Sequence, residues 1–96
     1  MNIKQLEEDE IRVQIFKALS DPARLEIIRV LRDKGDEMGC GEIGDNLELS
    51  KSTVSYHFKI LREAGLTMTR REAREKFVTL RYDTFNKYLT NFLDSL

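Results

Sequence analysis

Apolar side chains recur at helical spacing through most of the chain, and turn residues divide that recurrence into separate helices. From about Lys4 to Leu19, the residues Leu6, Ile11, Val13, Ile15, Phe16 and Leu19 occupy more than one stripe, more breadth than a single core needs. Asp21 then makes a good N-cap, and Pro22 stands at the first helical position, where its missing N–H costs nothing. Leu25, Ile28 and Leu31 form the inner face of the second helix, which Gly35 ends after Lys34. The run Gly39-Cys40-Gly41 predicts a loop, followed by a short third helix over about 41–47. Ser50 caps a fourth helix, Lys51 to Ala64, and Gly65 stops it. Thr67–Arg71 and Lys76–Tyr82 then predict two strands, the second alternating Val78, Leu80 and Tyr82 with Phe77, Thr79 and Arg81. A short polar tip, Glu72-Ala73-Arg74-Glu75, joins them. Helical spacing returns from about Asp83 to residue 95, with Phe85, Tyr88, Leu89, Phe92 and Leu96 in one stripe. The pattern predicts a mainly α fold of five helices with one β-hairpin, in a single domain spanning 1–96.

Composition narrows the class. With 96 residues, 41% hydrophobic and 34% charged, the chain suits a small globular domain and not a disordered segment. No apolar run approaches the roughly 20 residues that cross a bilayer. The opening stretch, Met1 to Glu8, has neither the basic nor the apolar region of a signal peptide. Cys40, the single cysteine, has no partner for an internal disulfide. A cytoplasmic protein without a membrane partner is expected.

The net charge of −1 conceals a segregation. Residues 1–49 carry seven Lys/Arg against twelve Asp/Glu, whereas residues 50–82 carry eight against three. A basic segment in an otherwise acidic chain suits local attraction to phosphate.

That segment begins with the fourth helix. At 100° per residue, Val54, Phe58 and Leu61 fall on one face, and Ser52, Ser55, Tyr56 and Lys59 on nearly the opposite one. The first set anchors the helix to a core. The second presents hydroxyls, a phenol and an ammonium, which hydrogen-bond base edges or phosphates in a major groove. A merely solvated face is more often built from Glu and Lys, because Ser and Thr are middling helix formers. Around the hairpin tip, Arg70, Arg71, Arg74 and Lys76 supply cations for phosphate or minor-groove contact. Enzyme chemistry is not expected: there is no histidine near a nucleophile, no recognisable carboxylate pair and no phosphate-cradling glycine loop. The alternative is a module of the same fold that binds another protein and not DNA.

Two stretches carry a family resemblance. The run Phe16-Lys17-Ala18-Leu19-Ser20-Asp21-Pro22-Ala23-Arg24-Leu25-Glu26-Ile27-Ile28 and the run from Leu49-Ser50-Lys51-Ser52-Thr53-Val54-Ser55-Tyr56-His57-Phe58 through Leu66 resemble the ArsR/SmtB family of transcription regulators. The resemblance implies a winged helix-turn-helix, with the helix-turn-helix over about 41–64 and the wing over about 67–82. It implies a homodimer paired through helices about 4–19 and 83–95, so that Leu6, Ile11, Phe16, Phe85, Tyr88, Leu89, Phe92 and Leu96 form the interface. It also implies repression, by a dimer bound to double-stranded operator DNA until an inducer, here unidentified, lowers its affinity. By position, Lys51, Ser52, Ser55 and Tyr56 become the base-reading residues, flanked by Thr53, with Tyr56 where many relatives have His.

Departures from the family pattern matter as much. Glu48 stands in the turn where the family usually has Gly, and the wing tip lacks the common Gly. The family's paired metal-binding cysteines fall on Gly39 and Gly41, with Cys40 between them. The closing segment has no histidine, and the single one, His57, is expected to pack beside the core. Neither a metal nor another cofactor is expected. Cys40 is a candidate redox switch, provided that a helix N-terminus lowers its thiol pKa.

Overall fold

In the computed structural model, which describes residues 2–96, side-chain caps open α1, α2 and α4, three of the helices that the sequence marks. Asn2 Oδ1 accepts the backbone N–H of Gln5 at 2.7 Å and opens α1 (Ile3–Leu19). Asp21 accepts from Ala23 and Arg24 at 2.8 and 3.3 Å and opens α2 (Pro22–Lys34). Burial alone would push the Asp21 carboxyl up, but those two N–H donors and the Arg24 charge hold it below its usual range. Gly35, at φ +70°, ends α2 in the left-handed conformation that only glycine adopts without strain.

The next segment departs from expectation. Met38–Gly39 is a strand, β1, and α3 (Cys40–Leu47) begins one residue earlier than predicted. Two residues carry no readable period, so the sequence showed only a glycine-rich loop. α4 (Lys51–Glu63) starts at Ser50, whose Oγ accepts the Thr53 N–H at 3.3 Å, and ends at Gly65, which has φ +77°. β2 (Thr67–Glu72) and β3 (Glu75–Leu80) form the expected hairpin, but β1 adds a third strand in the antiparallel order β1-β3-β2. Met38 lies opposite Val78 and Gly39 opposite Phe77. The architecture is a mainly helical winged helix-turn-helix with a three-stranded wing sheet.

The closing helix is also different. It divides into α5 (Tyr82–Tyr88) and α6 (Phe92–Ser95), with Asn91 at φ +64° between them. The break turns the Phe92 ring onto Phe85, 6.4 Å between centroids. Arg32 donates to the Leu93 carbonyl at 2.7 Å and Arg29 to the Leu96 carbonyl at 3.1 Å, so α2 satisfies the free end of α6. A spacing argument sees the apolar stripe across this segment but not the arginines that reward the break.

The core gathers Ile15 and Ala18 of α1, Ile27, Ile28 and Leu31 of α2, Ile43 of α3, and Val54, Phe58 and Leu61 of α4. Val78 and Leu80 of β3 close it with Phe85 of α5. Gly44 lets α3 approach α4: a Cβ there would lie 3.3 Å from a Val54 methyl.

The turn between α3 and α4 keeps the left-handed shape without the glycine. Glu48 has φ +55°, a conformation that costs a non-glycine residue on the order of 1 kcal/mol. Glu48→Gly is therefore expected to raise the unfolding free energy by roughly 0.5–1 kcal/mol, read from the urea midpoint. A fall in stability would show that the side chain compensates its backbone.

Candidate nucleic-acid interface

Along α4 the two faces separate as their chemistry requires. Val54, His57, Phe58 and Leu61 are buried, while Lys51, Ser52, Thr53, Ser55, Tyr56 and Lys59 are exposed. Tyr56 is 59% exposed, unusual for so large an aromatic ring and suited to a partner surface. Thr53 also serves the cap, because Ser50 Oγ donates to its hydroxyl at 2.9 Å. Lys59 lies 4.0 Å from Glu63, an exposed pair of little strength.

His57 faces inward. Its Nδ1 lies 3.1 Å from Nη1 of Arg24, itself buried. A guanidinium has only donors, so Nδ1 accepts and the ring carries its proton on Nε2. Arg24 also donates from Nε to the Ala18 carbonyl at 2.6 Å and from Nη2 to that of Lys17 at 3.5 Å. One side chain thus joins the end of α1, the start of α2 and the middle of α4. Sequence reasoning overlooked it. The available signal was an arginine placed among inward-facing positions of α2.

A cleft of about 720 Å³ opens between α3, the start of α4 and the wing. Lys51 and Ser55 line it from α4, and Arg74 and Lys76 from the wing, with Glu42 and Asp45 on the α3 side. Strand register explains which cations reach this side. Arg71 lies opposite Lys76, and both share the face of Thr69 and Val78, which looks toward the helices. Ala73 and Arg74 make the two-residue turn, with Ala73 at φ +54° where the family's glycine is missing.

Arg70 does not behave as expected. It lies opposite Phe77, on the outer face, and is already engaged. Its Nη2 and Nε donate to the two carboxylate oxygens of Glu37 at 2.6 and 3.1 Å, and Nη1 donates to Glu72 at 2.8 Å. The Glu37 carboxyl is held below its usual range by this contact. Arg70 is thus withdrawn from the set of unpaired cations, because Glu37, beside the strand two away and invisible in sequence, and Glu72 of its own strand neutralise it.

Cys40 opens α3, but burial pushes its thiol up, against a smaller lowering by Lys76 and Arg62. The environment is the reverse of one that activates a thiolate. No three His, Cys, Asp or Glu side chains converge among the described residues.

The expected dimer surface divides. Phe85 is 1% exposed within a single chain, so it belongs to that chain's core and is withdrawn from the interface. Tyr88, Leu89 and Phe92 pack half-buried on the same core, and Leu96 is half-buried beside α2. On α1, by contrast, Leu6, Val13 and Phe16 stay exposed, the last at 56%. At 100° per residue Leu6 and Val13 lie within about 20° of one another and Phe16 about 60° further round, one continuous face. Ile11, turned about 140° from Phe16, lies off that face but is itself 40% exposed. Val13, not chosen as an interface residue from sequence, completes that face.

Comparison with known proteins adds a second line. The family model of the bacterial regulatory protein, arsR family, matches residues 21–67. An uncharacterized HTH-type transcriptional regulator of Bacillus subtilis, YceK, is 57% identical over 96 residues, covering 100% of this chain and 95% of that protein. The transcriptional activator HlyU of Vibrio cholerae is 40% identical over 81 residues, covering 83% of this chain and 73% of its own. In three dimensions, the homodimeric winged helix-turn-helix DNA-binding domain Mb0332 of Mycobacterium bovis superposes with a TM-score of 0.82, over 99% of this chain and 85% of that one, at 19% identity.

Proposed function

This chain belongs to the arsR family of bacterial regulatory proteins, DNA-binding transcription regulators and not enzymes, and from that premise we propose that it is a homodimeric repressor of a promoter with an inverted-repeat operator. The observation that carries the reading is the exposed polar face of α4, set beside a cleft into which the wing turns its unpaired cations. Lys51, Ser52, Ser55 and Tyr56 read base edges in the major groove, and Thr53 supports the helix start. Arg71, Arg74 and Lys76 hold phosphates along the flank, with Lys59 as a further phosphate contact. Two α4 helices related by a two-fold axis enter successive major grooves about 34 Å apart. The exposed face of Leu6, Val13 and Phe16 supports pairing through α1. Occupancy of the operator is enough for repression, and no metal enters the mechanism.

Selection of duplexes from a random library tests this. An inverted repeat should emerge, bound with an affinity that falls with salt at a slope of about −0.9 per phosphate contacted. Ser55→Ala and Tyr56→Ala are each expected to cost about 1–3 kcal/mol at that operator and little on random DNA. Arg71→Ala and Arg74→Ala should weaken both alike. Equal losses from all four variants would refute the division between base reading and phosphate holding. No enrichment by folded, dimeric protein at low salt would favour the protein-binding module.

A further inference from the structure

The wing is a ribbon held at one end. Among the described residues, its lateral pairing to the rest of the sheet is two residues long, Met38 against Val78 and Gly39 against Phe77. Beyond Phe77 the strands β2 and β3 hold only one another, over two residues or about 7 Å to the turn. Two-stranded ribbons twist readily, so the placement of Arg74 and Lys76 at the cleft, with Arg71 on the same strand face as Lys76, needs a lateral restraint.

Arg70 stands where that restraint must act. It is at the last rung that β1 supports, opposite Phe77, and its guanidinium carbon lies 4.7 Å from the Phe77 ring centroid. Three of its nitrogens are committed to Glu37 and Glu72. Glu37 immediately precedes β1, which runs straight into α3 at Cys40. The contact therefore ties the wing to the helix-turn-helix. A phosphate could engage Arg70 only by displacing two carboxylates, and from the face away from the cleft.

We propose that Arg70 is a positioning residue, which fixes the wing against α3 and α4 through Glu37 and Phe77 and does not itself hold a phosphate. This rests on the DNA-binding reading and deepens it. Exposed ion pairs contribute little to global stability, so the effect lies in the direction of the wing and not in the unfolding midpoint. A forked, stacked arginine sets direction as a lysine cannot.

The test uses the full chain and its selected operator, with amide hydrogen exchange of residues 71–76 followed in the same proteins without DNA. Glu37→Gln should speed that exchange about 3–10-fold and weaken operator binding by a similar factor, with the salt slope unchanged, although the variant has lost a negative charge. Arg70→Lys, which keeps the charge but not the fork, should behave as Glu37→Gln does. The double variant should be no worse than either. Tighter binding by Glu37→Gln, with near-normal binding by Arg70→Lys, would overturn the proposal and make Arg70 a phosphate contact. Unchanged exchange in both variants would overturn it as well. Should the parent chain bind no duplex, the DNA reading fails by itself, and the exchange rates still decide whether Arg70 braces the wing.

Discussion

Arg24→Ala is expected to lower the unfolding free energy by about 2–4 kcal/mol, a large share of the roughly 5–14 kcal/mol typical of a domain this size. The reason is what the arginine leaves behind. The Ala18 carbonyl, in the last turn of α1, accepts from Arg24 Nε at 2.6 Å, whereas the Lys17 carbonyl, 3.5 Å from Nη2, is also reached by the Ser20 N–H and hydroxyl. His57 Nδ1 would lose its donor in a buried position. Urea unfolding gives the loss directly, and the melting temperature should drop by on the order of 10 °C or more. Arg24→Met, which retains the apolar stem, should recover part of the packing but none of the three contacts. A loss under 1 kcal/mol for the alanine variant would mean that water replaces the guanidinium freely. Operator affinity is expected to fall too, because Arg24 sets how α4 sits on α1 and α2.

Val13→Glu combined with Phe16→Glu should convert the dimer to a monomer and reduce operator affinity by on the order of 10²–10⁴-fold. Coupling two half-site contacts through one dimer makes the second effectively intramolecular, and a monomer forfeits that gain. Both side chains are about half exposed in the single chain, Val13 at 49% and Phe16 at 56%, so neither substitution opens the core. Far-UV circular dichroism should therefore be unchanged while sedimentation equilibrium reports half the mass. A variant that remains dimeric would move the interface off this face of α1, toward the α5–α6 end. Random-sequence DNA, bound through phosphates, should be affected much less.

Local signals identified most of the fold because each acts within a few residues. Asp21-Pro22, Gly35, Ser50 and Gly65 mark helix ends by hydrogen-bonding capacity and permitted φ, and the structure puts each at its expected place. The polar face of α4 was legible for the same reason, since helical period alone separates Ser55 and Tyr56 from Val54 and Phe58. What escaped was decided at longer range. β1 is two residues and exists because β3 offers it an edge. The closing helix breaks because Phe92 gains the Phe85 ring and two α2 arginines satisfy the freed carbonyls. Charge counting placed Arg70 among the phosphate contacts, because a count along the chain cannot see Glu37.

Local pattern was enough to establish a small helical domain with a hairpin, the helix that offers a polar face, and the place of the basic charge. Periodicity, capping chemistry and composition are properties of neighbouring residues and need no fold to be read. Which of those residues are free to act was settled by packing across the fold. It spent Arg70 on a brace, Phe85 on its own core and His57 on Arg24, and left Val13 and Phe16 uncovered. Those choices depend on contacts between residues far apart in the chain, 33 positions for both Arg70 with Glu37 and Arg24 with His57, whose distance in space no local pattern specifies.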